Sequence, residues 1–220
     1  MRKFLLATLS AAALTFASQA ACAADVDMAP AAYDWSGPYV GVTAGYGWGN
    51  VTQSTPGFDS GEQDMDGFVA GGTLGYNHQM DSFLIGLETD ISYSDIDGSF
   101  GDQPLWGCGA PDGCRADVDW FGTARLRLGL PMDSVLPYVT GGLAIGGVQS
   151  EIVGAPGFSL DETEFGWTVG GGIEAAVSES LTVKAEVLYV DFGKTDGVGV
   201  NDFAVSTDFI AARLGLNFQF

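Results

Sequence analysis

The sequence predicts an all-β fold, an eight-stranded antiparallel up-and-down transmembrane β-barrel with short turns at one end and long loops at the other. Three observations predict it. Apolar residues recur at alternate positions in eight segments, and no window carries a sustained 3.6-residue stripe. One face of each segment is apolar while the other holds glycine, threonine, serine and scattered charges. The connections alternate short, long, short, long along the chain, the pattern of an outer-membrane-type barrel with an even strand number.

The chain opens with an address. Met1-Arg2-Lys3 is a positive start, Phe4 to Phe16 an apolar stretch, and Ala21-Cys22-Ala23 a small-x-small cleavage site, so residues 1–23 read as a secretory signal peptide cut after Ala23. A lipoprotein signal at Cys22 is the alternative, but Gln19 stands where such a signal carries Leu. Residues 24–36 then form an N-terminal periplasmic segment and 37–220 the barrel. No later stretch reaches the ~20 consecutive apolar residues of a membrane helix.

The eight segments run about 38 to 49, 67 to 77, 83 to 94, 117 to 130, 135 to 146, 165 to 177, 181 to 192 and 204 to 220. Most match the ~9–11 residues that a tilted membrane strand needs, and a few are longer. Phe83, Ile85, Leu87, Ile91 and Tyr93 share one face of the third segment, against Gly86, Glu88, Asp90 and Ser92. In the fourth, Trp120, Gly122, Ala124, Leu126, Leu128 and Leu130 oppose Phe121, Thr123, Arg125, Arg127 and Gly129. In the seventh, Leu181, Val183, Val187 and Tyr189 oppose Thr182, Lys184 and Glu186. The fifth segment has no assigned facing, because Val139, Leu143 and Ile145 lie on one side and Leu136 and Tyr138 on the other. Short connections near 77–82, 131–134 and 178–180 face the periplasm, and the long ones, about 50–66, 95–116, 147–164 and 193–203, face outward. His78, the only histidine, falls in the first short turn.

An apolar band facing lipid puts Glu88, Asp90, Glu174 and Glu186 inside with Arg125, Arg127, Lys184 and Arg213. Eight strands leave a bore that side chains fill, and buried charges persist when paired, so these four acids and four bases are expected to form an ion-pair network that plugs the lumen. The alternative is a small diffusion porin lined by the same charges. Strand glycines such as Gly75 and Gly172 make room for larger inner residues. Tyr39, Tyr46, Trp48, Tyr76, Tyr93, Trp120, Tyr138, Trp167 and Tyr189 stand near segment ends, as interfacial girdles require.

At the C-terminus, Leu214, Leu216, Phe218 and Phe220 alternate up to the last residue and read as the signal by which the β-barrel assembly machinery recognises its clients. That ending, RLGLNFQF, together with WSGPYVGVTAGYGWG (35–49), LPYVTGGLAIGGV (136–148) and GWTVGGGIEAAVSESLTVKAEVLYVDFG (166–193), resembles the small porin-like outer-membrane β-barrel proteins of Gram-negative bacteria, with an OmpA-like barrel. The resemblance covers essentially the whole mature chain. It implies an abundant, surface-exposed protein of the outer membrane, in a family whose members are often termed immunogenic and of which some are described as hemin-binding. It implies no single activity, and nothing follows the barrel that matches a peptidoglycan-binding domain.

Composition narrows the chemistry. With 28 acidic against 8 basic residues and a net charge of −20, binding of nucleic acid through a basic patch is excluded. One turn histidine and no matching serine motif do not supply the nucleophile and base of an outer-membrane hydrolase, so no enzyme is expected. No cofactor is expected either. The loops carry Asp59, Glu62, Asp64, Asp66, Asp95, Asp97, Asp102, Asp112, Glu151, Asp161, Glu162, Glu164, Asp196 and Asp202, an anionic rim that meets lipopolysaccharide through divalent bridges. No complete calcium loop is present, and a loop-mediated binder of divalent cations or hemin stays a lesser alternative; hemin's propionates would meet an acidic surface without a loop histidine or tyrosine. After signal cleavage Cys108 and Cys114 remain, an even pair in an oxidising compartment, read as a small loop disulfide over two free thiols or a metal pair. The expected partners are outer-membrane lipid, lipopolysaccharide and the assembly machinery, around a monomer.

Overall fold

The computed structural model describes residues 33–55, 58–100, 114–152, 159–197 and 203–220. The signal peptide, residues 24–32 and Cys108 lie outside them. Eight strands, β1 (Gly37–Thr55), β2 (Phe58–Met80), β3 (Phe83–Phe100), β4 (Cys114–Gly129), β5 (Val135–Ile152), β6 (Ser159–Ala176), β7 (Leu181–Gly197) and β8 (Phe203–Gln219), follow one another around a closed antiparallel barrel. Closure is made by β1 against β8, in register from Tyr39↔Gln219 to Ser54↔Ala204. A closed ring satisfies every ladder without leaving an edge, the condition for a strand protein to cross lipid.

The strands contain 16 to 23 residues, longer than the segments read from periodicity except in β8, whose 17 residues equal the segment read for it. The difference lies at the outer end. Asp59 to Asp66, Asp95, Asp97, Glu151, Asp161 to Glu164 and Asp196, expected in loops, fall within strands. Once two strands pair, their ladder continues into water as readily as through lipid, because its hydrogen bonds are internal. At the periplasmic end the first turn is only Asp81-Ser82, with Asp81 at φ 26°. His78 therefore sits in β2, exposed and opposite Ile85, and not in a turn.

Outward positions carry Val42, Leu74, Leu87, Ile91, Leu126, Leu143, Ile173 and Leu214, all exposed, the apolar band that meets acyl chains. Tyr46, Trp48, Phe68, Tyr93, Phe165 and Trp167 ring its outer border; Tyr76, Phe83, Phe218 and Phe220 ring the periplasmic one. Two of the expected girdle residues do not belong there. Tyr39 and Tyr138 are buried and point into the bore, where their hydroxyls reach lumen carboxylates. The fifth strand's facing is also decided: Leu136, Tyr138, Thr140 and Ala144 face in, while Val139 and Leu143 face out.

Candidate functional site

The lumen is the place where charged chemistry collects. Glu88 and Asp90 project inward from β3, Arg125 and Arg127 from β4, Glu174 from β6, Lys184 and Glu186 from β7, and Arg213 from β8, because each occupies the phase opposite to the lipid-facing residues of its strand. All eight are buried. Arg125 Nη2 donates to Glu88 Oε1 at 2.5 Å and to Asp90 Oδ2 at 2.9 Å, and its Nη1 donates to Glu186 Oε2 at 2.8 Å. Arg213 bridges Asp90 Oδ1 (2.8 Å) and Glu186 Oε1 (2.7 Å) from the other side of the bore. Lys184 Nζ lies 2.9 Å from both oxygens of Glu88. Arg127 pairs with Glu174 and lies 3.8 Å from Glu88, which joins the pairs into one network.

Neutral groups complete the coordination of each carboxylate. Tyr39 donates to Glu88 (2.7 Å), Tyr138 to Glu186 (3.2 Å), Thr123 to Asp90, and both Thr182 and Asn217 (2.7 Å) to Glu174. The Arg127 guanidinium lies 3.8 Å over the Tyr138 ring and 5.9 Å from that of Tyr39. Glycines opposite these rings make the fit possible. A Cβ on Gly75 would come within 2.2 Å of Tyr39 Cζ, and one on Gly172 within 2.8 Å of the Tyr138 hydroxyl. Charge is balanced at four against four, so no member is a buried ion without a counter-ion.

Above this layer, toward the outside, the bore is apolar. Val51, Met65, Val69, Ile96, Val118, Phe121, Leu188, Val190, Phe192 and Phe209 form a buried cluster. Phe209 stands at its centre, 5.2 Å from the ring of Phe121 and 6.1 Å from that of Phe192. Apart from the inner-face position of Phe121, this layer was not anticipated from the sequence, although its signal is present. Along β7 the inward set runs Thr182, Lys184, Glu186, Leu188, Val190, Phe192, whereas the outward set runs Val183, Ala185, Val187, Tyr189, Asp191. Facing stays constant while polarity inverts. The inversion marks where the strand leaves lipid: outside the bilayer, water covers the outer face and the inner face becomes an ordinary hydrophobic core. Along β3, Ile91, Tyr93, Asp95 and Asp97 on the outside and Asp90, Ser92, Ser94 and Ile96 inside repeat the change. Register shifts between Tyr93 and Ile96, Val118 and Trp120, and Asp191 and Lys194 lie at this same level.

A third buried layer closes the opposite end, where Trp35 packs on Leu84 and Leu136. Trp35 belongs to the segment, 24–36, read from the sequence as an N-terminal periplasmic segment ahead of the barrel. Of the remaining residues singled out in the sequence, Leu214, Leu216, Phe218 and Phe220 are exposed on the outer face of β8 and its end. Cys114 begins β4, and Cys108 is outside the described residues.

An outer-membrane β-barrel domain model matches residues 9–218. The chain belongs to this outer-membrane β-barrel family. Its relatives include the 31 kDa outer-membrane immunogenic protein of Brucella melitensis, 36% identical over 243 residues and aligned along the whole of both chains. The 25 kDa outer-membrane immunogenic protein of the same organism is 31% identical, over 98% of this chain and 97% of that one. Among solved structures, the outer membrane protein OprG of Pseudomonas aeruginosa shares the fold at a TM-score of 0.51 and 15% identity, over 84% of this chain and 96% of OprG. This family membership places the protein in the outer membrane, with the short turns at the periplasmic end.

Proposed function

We propose that this family member is a structural and surface protein of the outer membrane, with a plugged lumen, that supports envelope integrity and presents its outer strands and loops for contact. The observation that carries the reading is the charge-balanced lumen network, in which each carboxylate holds at least one cation and at least one neutral donor. An apolar layer continues it outward. Solvated ions passing such a bore would have to break paired charges and then cross a mostly apolar layer, both costly in low dielectric. The relatives named as immunogenic support a role at the surface, and they support a non-enzymatic reading. The acidic outer face is read as meeting lipopolysaccharide through divalent cations, the C-terminal alternation as the assembly signal, and Cys108 with Cys114 as a loop disulfide.

The test is single-channel conductance of the refolded mature barrel in planar bilayers, beside an Arg125→Ala, Arg127→Ala variant. A silent wild type and a leaking variant are expected. Steady wild-type openings, altered in size or selectivity by the variant, would replace the plug with a small diffusion channel. One observation favours that second reading: the Nε atoms of Arg125, Arg127 and Arg213 and the hydroxyls of Thr43 and Ser94 are buried without a hydrogen-bond partner, and such groups are ordinarily met by water.

A further inference from the structure

We propose that Tyr33–Ser36 is a hinged stopper that docks into the periplasmic mouth only after the barrel has closed, and that can leave it without disturbing the strands. The hinge is Gly37. Its φ of +133° is a conformation that L side chains rarely adopt, and it turns the chain ahead of β1 into the bore. Trp35 is thereby fully buried against Leu84 and Leu136, with the Tyr33 ring edge-on to it at 4.7 Å.

The stopper's bonds come from side chains and turns, since residues 33–36 belong to no strand. Trp35 N donates to Gln79 Oε1 (3.1 Å), Gln79 N donates to Ser36 Oγ (3.2 Å), and Trp35 Nε1 donates to the Asp133 carbonyl (3.4 Å). Gln219 Nε2 donates to the carbonyls of Asp34 and Ser36, both at 2.9 Å, and the Tyr33 hydroxyl donates to Gln219 Oε1 at 3.1 Å. These partners come from the end of β2, the β4–β5 turn and the last residue of β8, with Leu84 of β3 and Leu136 of β5 beneath. Gln219 comes beside the stopper only when β8 pairs with β1, which the bond from Phe220 N to the Pro38 carbonyl (3.1 Å) completes. The docking site does not exist on an open sheet. Withdrawal breaks no ladder bond, and it uncovers Leu136, the cross-strand partner of Glu174. A segment held by side chains alone opens more easily than the strands around it.

The experiment reads thiol accessibility, so its outcome does not depend on whether the lumen conducts. Leu136→Cys is placed in a Cys108→Ser, Cys114→Ser background, refolded into detergent micelles and exposed to a charged maleimide. With the native stopper, labelling is expected to be at least about tenfold slower than with Trp35→Ala added, while both barrels keep heat-modifiable migration. Gln79→Ala with Gln219→Ala, which retains the indole but removes the two glutamine side chains that tether the segment, should also accelerate labelling; this pair decides the matter if Trp35→Ala does not fold. Equal rates in native and untethered barrels would overturn the stopper. During refolding, protection of the thiol should lag the gel shift that reports closure; protection that precedes the shift would overturn docking on the closed barrel. A conducting wild type would sink the plug of the ionic layer and leave this assignment standing.

Discussion

Arg125 and Arg213 share two carboxylate partners, Asp90 and Glu186. Each guanidinium bridges Asp90 and Glu186, so the four side chains close a ring of alternating charge with separations of 2.7 to 2.9 Å. Arg125 comes from β4 and Arg213 from β8, strands that are not neighbours, so the ring ties opposite walls of the barrel across its bore.

Breaking that ring leaves buried charge half-compensated. Arg213→Ala is expected to lower the stability of the refolded barrel by about 3–5 kcal/mol, because Asp90 and Glu186 each lose a cation in a site closed to water. Adding Asp90→Asn removes one of the stranded charges and should recover part of the loss. Urea midpoints of the two single variants and the double give the coupling, expected at about 0.5–3 kcal/mol; strict additivity would show that the ring does not act as a unit.

Gly75 and Gly72 give a matched pair. A Cβ on Gly75 would lie 2.2 Å from Tyr39 Cζ, whereas one on Gly72 would find its nearest atom at 3.8 Å. Gly75→Ala should push the Tyr39 ring off Glu88 and cost about 1–3 kcal/mol, as overpacking does. Gly72→Ala should be close to neutral. The fraction of barrel that resists unfolding in a mild-temperature gel shift would measure both.

Phe209 anchors the outer apolar layer. Phe209→Ala should lower stability by about 3–5 kcal/mol through the cavity left between Phe121 and Phe192. If the ionic layer is the ion barrier, the same variant stays silent in planar bilayers. Leaks from Phe209→Ala with an intact charge network would move the barrier to the apolar layer.

Phe220 separates assembly from stability. Its side chain is 72% exposed, and its ring contact is with Phe218 at 5.2 Å. Phe220→Ala should therefore refold in vitro to nearly wild-type stability, yet reach the outer membrane of cells in much reduced amount. Equal reductions in both settings would make the terminal aromatic a packing residue and not an assembly signal.

Strand count, up-and-down order and, outside β5, the lipid-facing set were readable from residue order. Each outward residue such as Leu87, Ile91 or Leu126 meets lipid independently of the others, so the bilayer writes its demand into the sequence position by position, at period two. The inward phase of Glu88, Arg125 and Glu186 follows from the same rule. The change of inner-face polarity at Leu188 and Ile96 was equally present in the text of the strands, since it too is local; it requires only that facing and polarity be followed separately.

Pairing across the bore is of another kind. Glu88 and Arg125 are cross-strand partners once the β3–β4 register is known, but Asp90 reaches Arg213 only because closure and stagger bring β3 and β8 to facing walls at one height. Closure also turned Tyr39 and Tyr138 from girdle candidates into lumen residues. For β5, both faces are apolar, and only the Arg127 guanidinium over Tyr138 and the Trp35 indole over Leu136 make the inward choice visible. Trp35 itself shows the boundary most sharply: it donates to Gln79 and to the Asp133 carbonyl, 44 and 98 positions away, while Gln219 holds the carbonyls of Asp34 and Ser36 on either side of it, 185 and 183 positions away, and no local pattern encodes a contact that exists only after the eighth strand has met the first.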